Sequence, residues 1–87
     1  MARFAIEKYL DQKNQWRKLF GEKELRLSNA QDAQRIADML DADLSPENLT
    51  CDGELSRSQV QAKYNLFTRA ASELKALYPN VQMYEFN

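Results

Sequence analysis

The sequence has no histidine and a single cysteine, Cys51. The first absence removes the usual general base at neutral pH, the Ser/His and Cys/His nucleophile pairs, and the commonest metal ligand. The second rules out an internal disulfide and any cysteine-based zinc site built from one chain. The opening stretch, residues 1–12, lacks the uninterrupted apolar core of a signal peptide, and no run approaches the roughly 18 apolar residues of a membrane span. These readings lead to the expectation of a cytoplasmic protein without a membrane segment, metal or cofactor. Glycine and proline are also scarce, with two of each, at Gly21, Gly53, Pro46 and Pro79.

What is present suits one small folded domain. The 87 residues are 44% hydrophobic and 29% charged, too apolar for a disordered polyampholyte. A chain of this size buries only about 60–65% of its unfolded surface, so its core is small and association with a partner or a second copy would add stability.

The few punctuating residues coincide with changes of apolar period. Val60, Tyr64, Phe67, Ala71, Leu74 and Tyr78 recur at spacings of three and four, which predicts an amphipathic helix over about 57–78 with the first five toward the core. Ser56 and Gln59 have the spacing of a capping box, and Pro79 cannot continue the helix. A second helix is predicted over about 29–41, with Ala33, Ile36, Ala37 and Leu40 on one face and Ser28/Gln31 as a capping box. Between the two, Ser45-Pro46 has the form of a cap and first helical position opening one short turn.

Residues 3–20 read two ways. As a helix, Ala5, Ile6, Tyr9, Leu10, Trp16, Leu19 and Phe20 cluster on one side, interrupted by Lys13. As a hairpin, apolar-aromatic strands flank the polar run Asp11-Gln12-Lys13-Asn14-Gln15. Five consecutive polar residues favour the hairpin. The alternation from Val81 to Phe86 predicts a short strand, with Glu24-Leu25-Arg26-Leu27 or the hairpin as its partner. The expected fold is therefore α+β: two amphipathic helices packed on a small antiparallel sheet formed by an N-terminal hairpin and a C-terminal strand.

Candidate chemistry is sparse. The acidic loop Asp41 to Asp52 invites comparison with an EF-hand, but Pro46 and Leu49 occupy positions where that loop wants glycine and an oxygen ligand, and Asp52 is too short for the bidentate glutamate. Cys51-Asp52-Gly53-Glu54 sets a thiol beside two carboxylates that oppose thiolate formation, so it reads as a turn beside a small apolar residue. A non-enzymatic protein follows from this reading.

Charge is the most informative remaining feature. Residues 1–27 sum to +3, residues 28–56 to −6 and residues 57–87 to +2, for a net charge of −1. The acidic waist, with Asp38, Asp41, Asp43, Glu47, Asp52 and Glu54, is the expected docking surface for another protein with a basic face. The alternative is a nucleic-acid-binding regulator using Lys13, Arg17, Lys18, Lys23 and Arg26. In it Tyr9, Trp16 and Phe20 interleave with the bases as stacking platforms, although Trp16 and Phe20 are expected in the core. A homodimer through surplus apolar area on the long helix is a third possibility. The leading expectation is a small interaction module that binds and modulates a larger protein or complex, such as an accessory protein of a phage or mobile element.

Overall fold

The structure, a computed structural model, describes residues 4–50 and 56–86. Four helices occur among them: α1 (Phe4–Leu19), α2 (Ala30–Leu44), α3 (Pro46–Thr50) and α4 (Arg57–Leu77). No strand is present among the described residues, so the α+β expectation is wrong and the domain is all-helical.

The expected N-terminal hairpin is the helix α1. Ala5, Ile6, Tyr9 and Leu10 repeat at helical spacing and are buried together, while the polar run 11–15 is part of the same helix. That run contains no glycine to supply the positive φ of a tight hairpin turn. The reversal comes later, at Gly21, whose φ is 72°. There the Glu22 amide donates to the Arg17 carbonyl at 2.7 Å and the Gly21 amide to Lys18 at 3.1 Å, the paired bonds of a Schellman cap.

The two segments expected to pair as strands are each held by helix side chains instead. Asn14 of α1 donates to the Leu25 carbonyl at 2.8 Å and accepts from the Leu25 amide at 2.9 Å. At the C-terminus, Gln34 of α2 exchanges two 3.0 Å bonds with the Gln82 backbone, and Asp41 accepts from the Tyr84 and Glu85 amides at 2.8 and 2.5 Å. Extended backbone needs partners for its polar groups, and here carboxamides and a carboxylate provide them where a neighbouring strand was expected. The apolar residues still point inward: Leu25, Leu27 and Met83 are buried.

The helix boundaries follow from local chemistry. α2 is capped by Asn29, whose side chain accepts from the Gln31 amide, in place of the expected Ser28/Gln31 box, and it extends to Leu44. Ser45 and Pro46 then open α3 as expected. α4 begins with the Ser56/Gln59 capping box and stops at Tyr78, before Pro79.

Ile6, Tyr9, Ile36, Leu40 and Leu74 form the fully buried centre. Each burial of this size contributes about 1.5–3 kcal/mol. Ala33, Ala37, Ala70 and Ala71, also buried, let α2 and α4 approach closely. On the α1 side, the Ile6 amide donates to Glu73 at 3.0 Å, and the Tyr9 and Phe67 rings meet edge to face at 5.6 Å. Residue numbers rise on α1 as they fall on α4, so the two helices run antiparallel.

Two core expectations fail in a connected way. Ala71 and Leu74 are buried and Val60 and Phe67 half-buried, but Tyr64 is 45% exposed. In and just after the last turn of α1, Trp16 is 62% and Phe20 74% exposed instead of buried. The antiparallel register directs the last turns of α1 toward the first half of α4, where polar residues such as Gln59 and Lys63 leave little apolar surface to cover them.

Candidate functional site

The acidic waist does not present a free row of carboxylates. Asp43 accepts the Tyr9 hydroxyl at 2.6 Å and pairs with Lys13 at 3.0 Å, while Asp41 is occupied by the C-terminal backbone. Asp38 is exposed but accepts from Gln34 at 2.9 Å. Glu47 is exposed on the short α3. Asp52 and Glu54 lie outside the described residues, as does Cys51. Half of the described carboxylates proposed for docking thus serve the fold.

The basic set is similarly compensated. Besides Lys13, Arg17 pairs with Glu22 at 3.3 Å and donates to the Lys23 carbonyl, and Lys18 approaches Glu24 at 3.4 Å. Lys23 and Arg26 are exposed, with the Arg26 backbone amide donating to Asp32. These ion pairs at the surface contribute little stability, but they offset the positive potential of the segment.

The Tyr9, Asp43 and Lys13 cluster is the most constrained polar group. Burial, the hydrogen bond to Asp43 and that residue's negative charge all hold the Tyr9 phenol well above its ordinary pKa. Lys13 completes it, with its ammonium 5.6 Å from the Tyr9 ring centroid. This is why a lysine interrupts the apolar side of α1: its stem passes over a buried ring and its charge meets Asp43. The cluster ties α1 to α2 through the Tyr9 hydroxyl and the Lys13 ammonium, both on Asp43.

Clefts on the surface are shallow. One of about 400 Å³ is lined by Glu7, Leu10, Asp11, Asn14 and Glu24 among others, and one of about 420 Å³ by Leu44, Pro46, Leu49, Val60 and Tyr64. No group of three or more carboxylates or thiols able to hold a metal occurs among the described residues. Nor is any helix there long and apolar enough to cross a membrane.

The feature with the clearest binding potential is the open end of the α1–α4 pair. Trp16 in the last turn of α1 and Phe20 just past its end stack with centroids 6.4 Å apart and planes inclined by 15°. Leu19 beside them is 77% exposed. They continue the stripe that is buried at Tyr9, so the core-facing side of α1 emerges into solvent over its last turns. Tyr64 and the half-buried Val60 mark the same transition on α4. Residues 56–72 contain Arg57, Lys63 and Arg69 and no acid, and among the described residues these three form no ion pair. The sequence signal for this site was the interleaving of aromatic and basic residues over 9–20; what it does not reveal is that Trp16 and Phe20 lie beyond the reach of the core.

Comparison with known proteins finds no matching family model, no matching curated protein and no matching solved structure.

Proposed function

We propose that the protein is a non-enzymatic interaction module that binds another protein through the open end of the α1–α4 pair and modulates it. The observation that carries this reading is the exposed Trp16–Phe20 stack. A domain with so small a core gains from burying aromatic rings, and large aromatic side chains are the usual anchors of protein interfaces. Their place at the end of a rigid helix holds them ready for a partner at low entropic cost.

The acidic waist is the weaker docking surface, because Asp41 and Asp43 are engaged within the domain. A protein partner is favoured over nucleic acid by the ion pairs that offset Lys13, Arg17 and Lys18, and by the net charge of −1. The same reading places the protein in the reducing cytoplasm, in keeping with its lone cysteine.

The test is capture from a lysate of the producing cell on immobilised protein, with and without nuclease, comparing wild type with the double variant Trp16→Ser/Phe20→Ser. The reading expects a discrete protein retained despite nuclease and lost with the double variant, whose circular dichroism and melting stay close to wild type. Retention that survives the double substitution, or that nuclease abolishes, overturns it.

A further inference from the structure

Resting on that reading, we infer that the partner's docking segment is acidic and carries apolar side chains. The inference combines two observations at one end of the domain. Trp16 and Phe20 offer an uncovered aromatic surface. The antiparallel pairing fixed by Ile6–Glu73 and Tyr9–Phe67 brings to that same end the first half of α4, where Arg57 and Lys63 have no ion-pair partner among the described residues. The bases at the end of α1 are offset by Asp43, Glu22 and Glu24, whereas residues 56–72 carry three bases and no carboxylate, so the uncompensated positive charge at this end comes from α4.

Apolar surface and charge ask different things of an occupant. The stacked rings require apolar groups, since a wholly hydrophilic polyanion would leave them in water and gain nothing from their burial. The cations require carboxylates around those apolar groups, which would speed encounter and reject basic competitors. A second copy of this chain satisfies the charge requirement less well at its own open end, because two such ends meeting face to face would juxtapose like charges.

Trp16 is the only tryptophan, so its emission reports directly on cover at the site. The probe is a synthetic peptide of glutamate and aspartate interspersed with leucine and phenylalanine. It is compared with a peptide carrying lysine at the acidic positions, with one carrying serine at the apolar positions, and with oligothymidylate. The acidic apolar peptide is expected to shift Trp16 emission to the blue saturably, with affinity falling as salt rises. Arg57→Glu/Lys63→Glu, at exposed positions, should weaken it by about tenfold or more. Phe20→Ser should weaken it while leaving the circular dichroism unchanged.

Equal binding of the lysine or serine peptide overturns the inference, as does a response to oligothymidylate alone. A blue shift that grows with protein concentration without any peptide assigns the surface to a second copy and also overturns it. If lysate capture remains dependent on Trp16 and Phe20 but the acidic peptide does not bind, the partner chemistry is wrong and the interaction module stands. If capture ignores those residues, the module reading itself fails.

Discussion

The Tyr9 hydroxyl donates to Asp43 Oδ2 at 2.6 Å, across the junction between α1 and α2. The same oxygen lies 3.0 Å from Lys13 Nζ. Asp43 thus joins two groups of α1 that differ in kind, one a buried phenol and the other a half-exposed ammonium.

Alkaline pH should loosen this tie. Tyr9 has its pKa raised by burial first and by Asp43 second, from an ordinary value of 10.0. A raised folded-state pKa means that the stabilisation is complete below the unfolded value and is lost as pH climbs above it. Above about pH 10, Tyr9 should contribute a fall of about 1.4 kcal/mol per pH unit, from one proton released on unfolding. Urea unfolding across that range checks it; Tyr9→Phe should remove this component of the slope.

Asp43→Ala leaves the Tyr9 hydroxyl without its acceptor and Lys13 without its counter-ion. We expect a cost of about 1–3 kcal/mol. Combining it with Tyr9→Phe should cost less than the sum of the two single changes, because the double variant no longer leaves a phenol unsatisfied. A double-mutant cycle in urea measures the difference, and strict additivity would show that the bond does not couple the helices.

Leu74→Ala should destabilise more than Phe67→Ala, although it removes fewer atoms. Leu74 is fully buried, whereas Phe67 is half-buried, packed against the core with its ring edge to face with Tyr9. Losses of about 2–5 kcal/mol and about 1–2 kcal/mol are expected, respectively. Thermal melts ranked the other way would contradict the packing described for α4.

Gly21→Ala tests the cap of α1. A Cβ there would meet no atom within 4 Å, so any cost comes from the backbone, whose φ of 72° disfavours a side chain. A loss of about 1 kcal/mol is expected by denaturant unfolding.

Asp41→Asn tests the C-terminal clasp. Asparagine offers one acceptor oxygen where the Asp41 carboxylate uses two, so one of the two tail amides loses its partner and hydrogen exchange at Tyr84 and Glu85 should accelerate. Exchange at the Leu74 amide should change much less, since α4 keeps its own helical bonds.

The helices α2 and α4 were legible because their buried periodicity is strong; the Ser56/Gln59 box also marked the start of α4, whereas α2 is capped by Asn29 in place of Ser28 and runs on to Leu44. α1 was harder to recognise because its polar run includes two residues used inward: Lys13 over Tyr9 and Asn14 on the Leu25 backbone. A pattern of polar and apolar letters cannot show that a lysine stem lies across a ring. The same limit produced the expected sheet. The alternation at 24–27 and 81–86 reflects the inward-facing Leu25, Leu27 and Met83, but the identity of the hydrogen-bond partner is a tertiary matter, decided by Asn14, Gln34 and Asp41. At the candidate site the residue types were visible and their exposure was not, since that depends on where α4 runs out of apolar cover.

The bond between the Ile6 amide and Glu73 spans almost the whole chain. During synthesis α1 is therefore made long before its main support exists, a delay of about 3–13 s at the usual elongation rate of about 5–20 residues per second. A helix of 16 residues is marginal by itself in water. Its Ile6 and the Tyr9 ring lack the cover of α4 until that helix has been translated, which makes the nascent chain more exposed than the finished domain to aggregation and to early capture by chaperones.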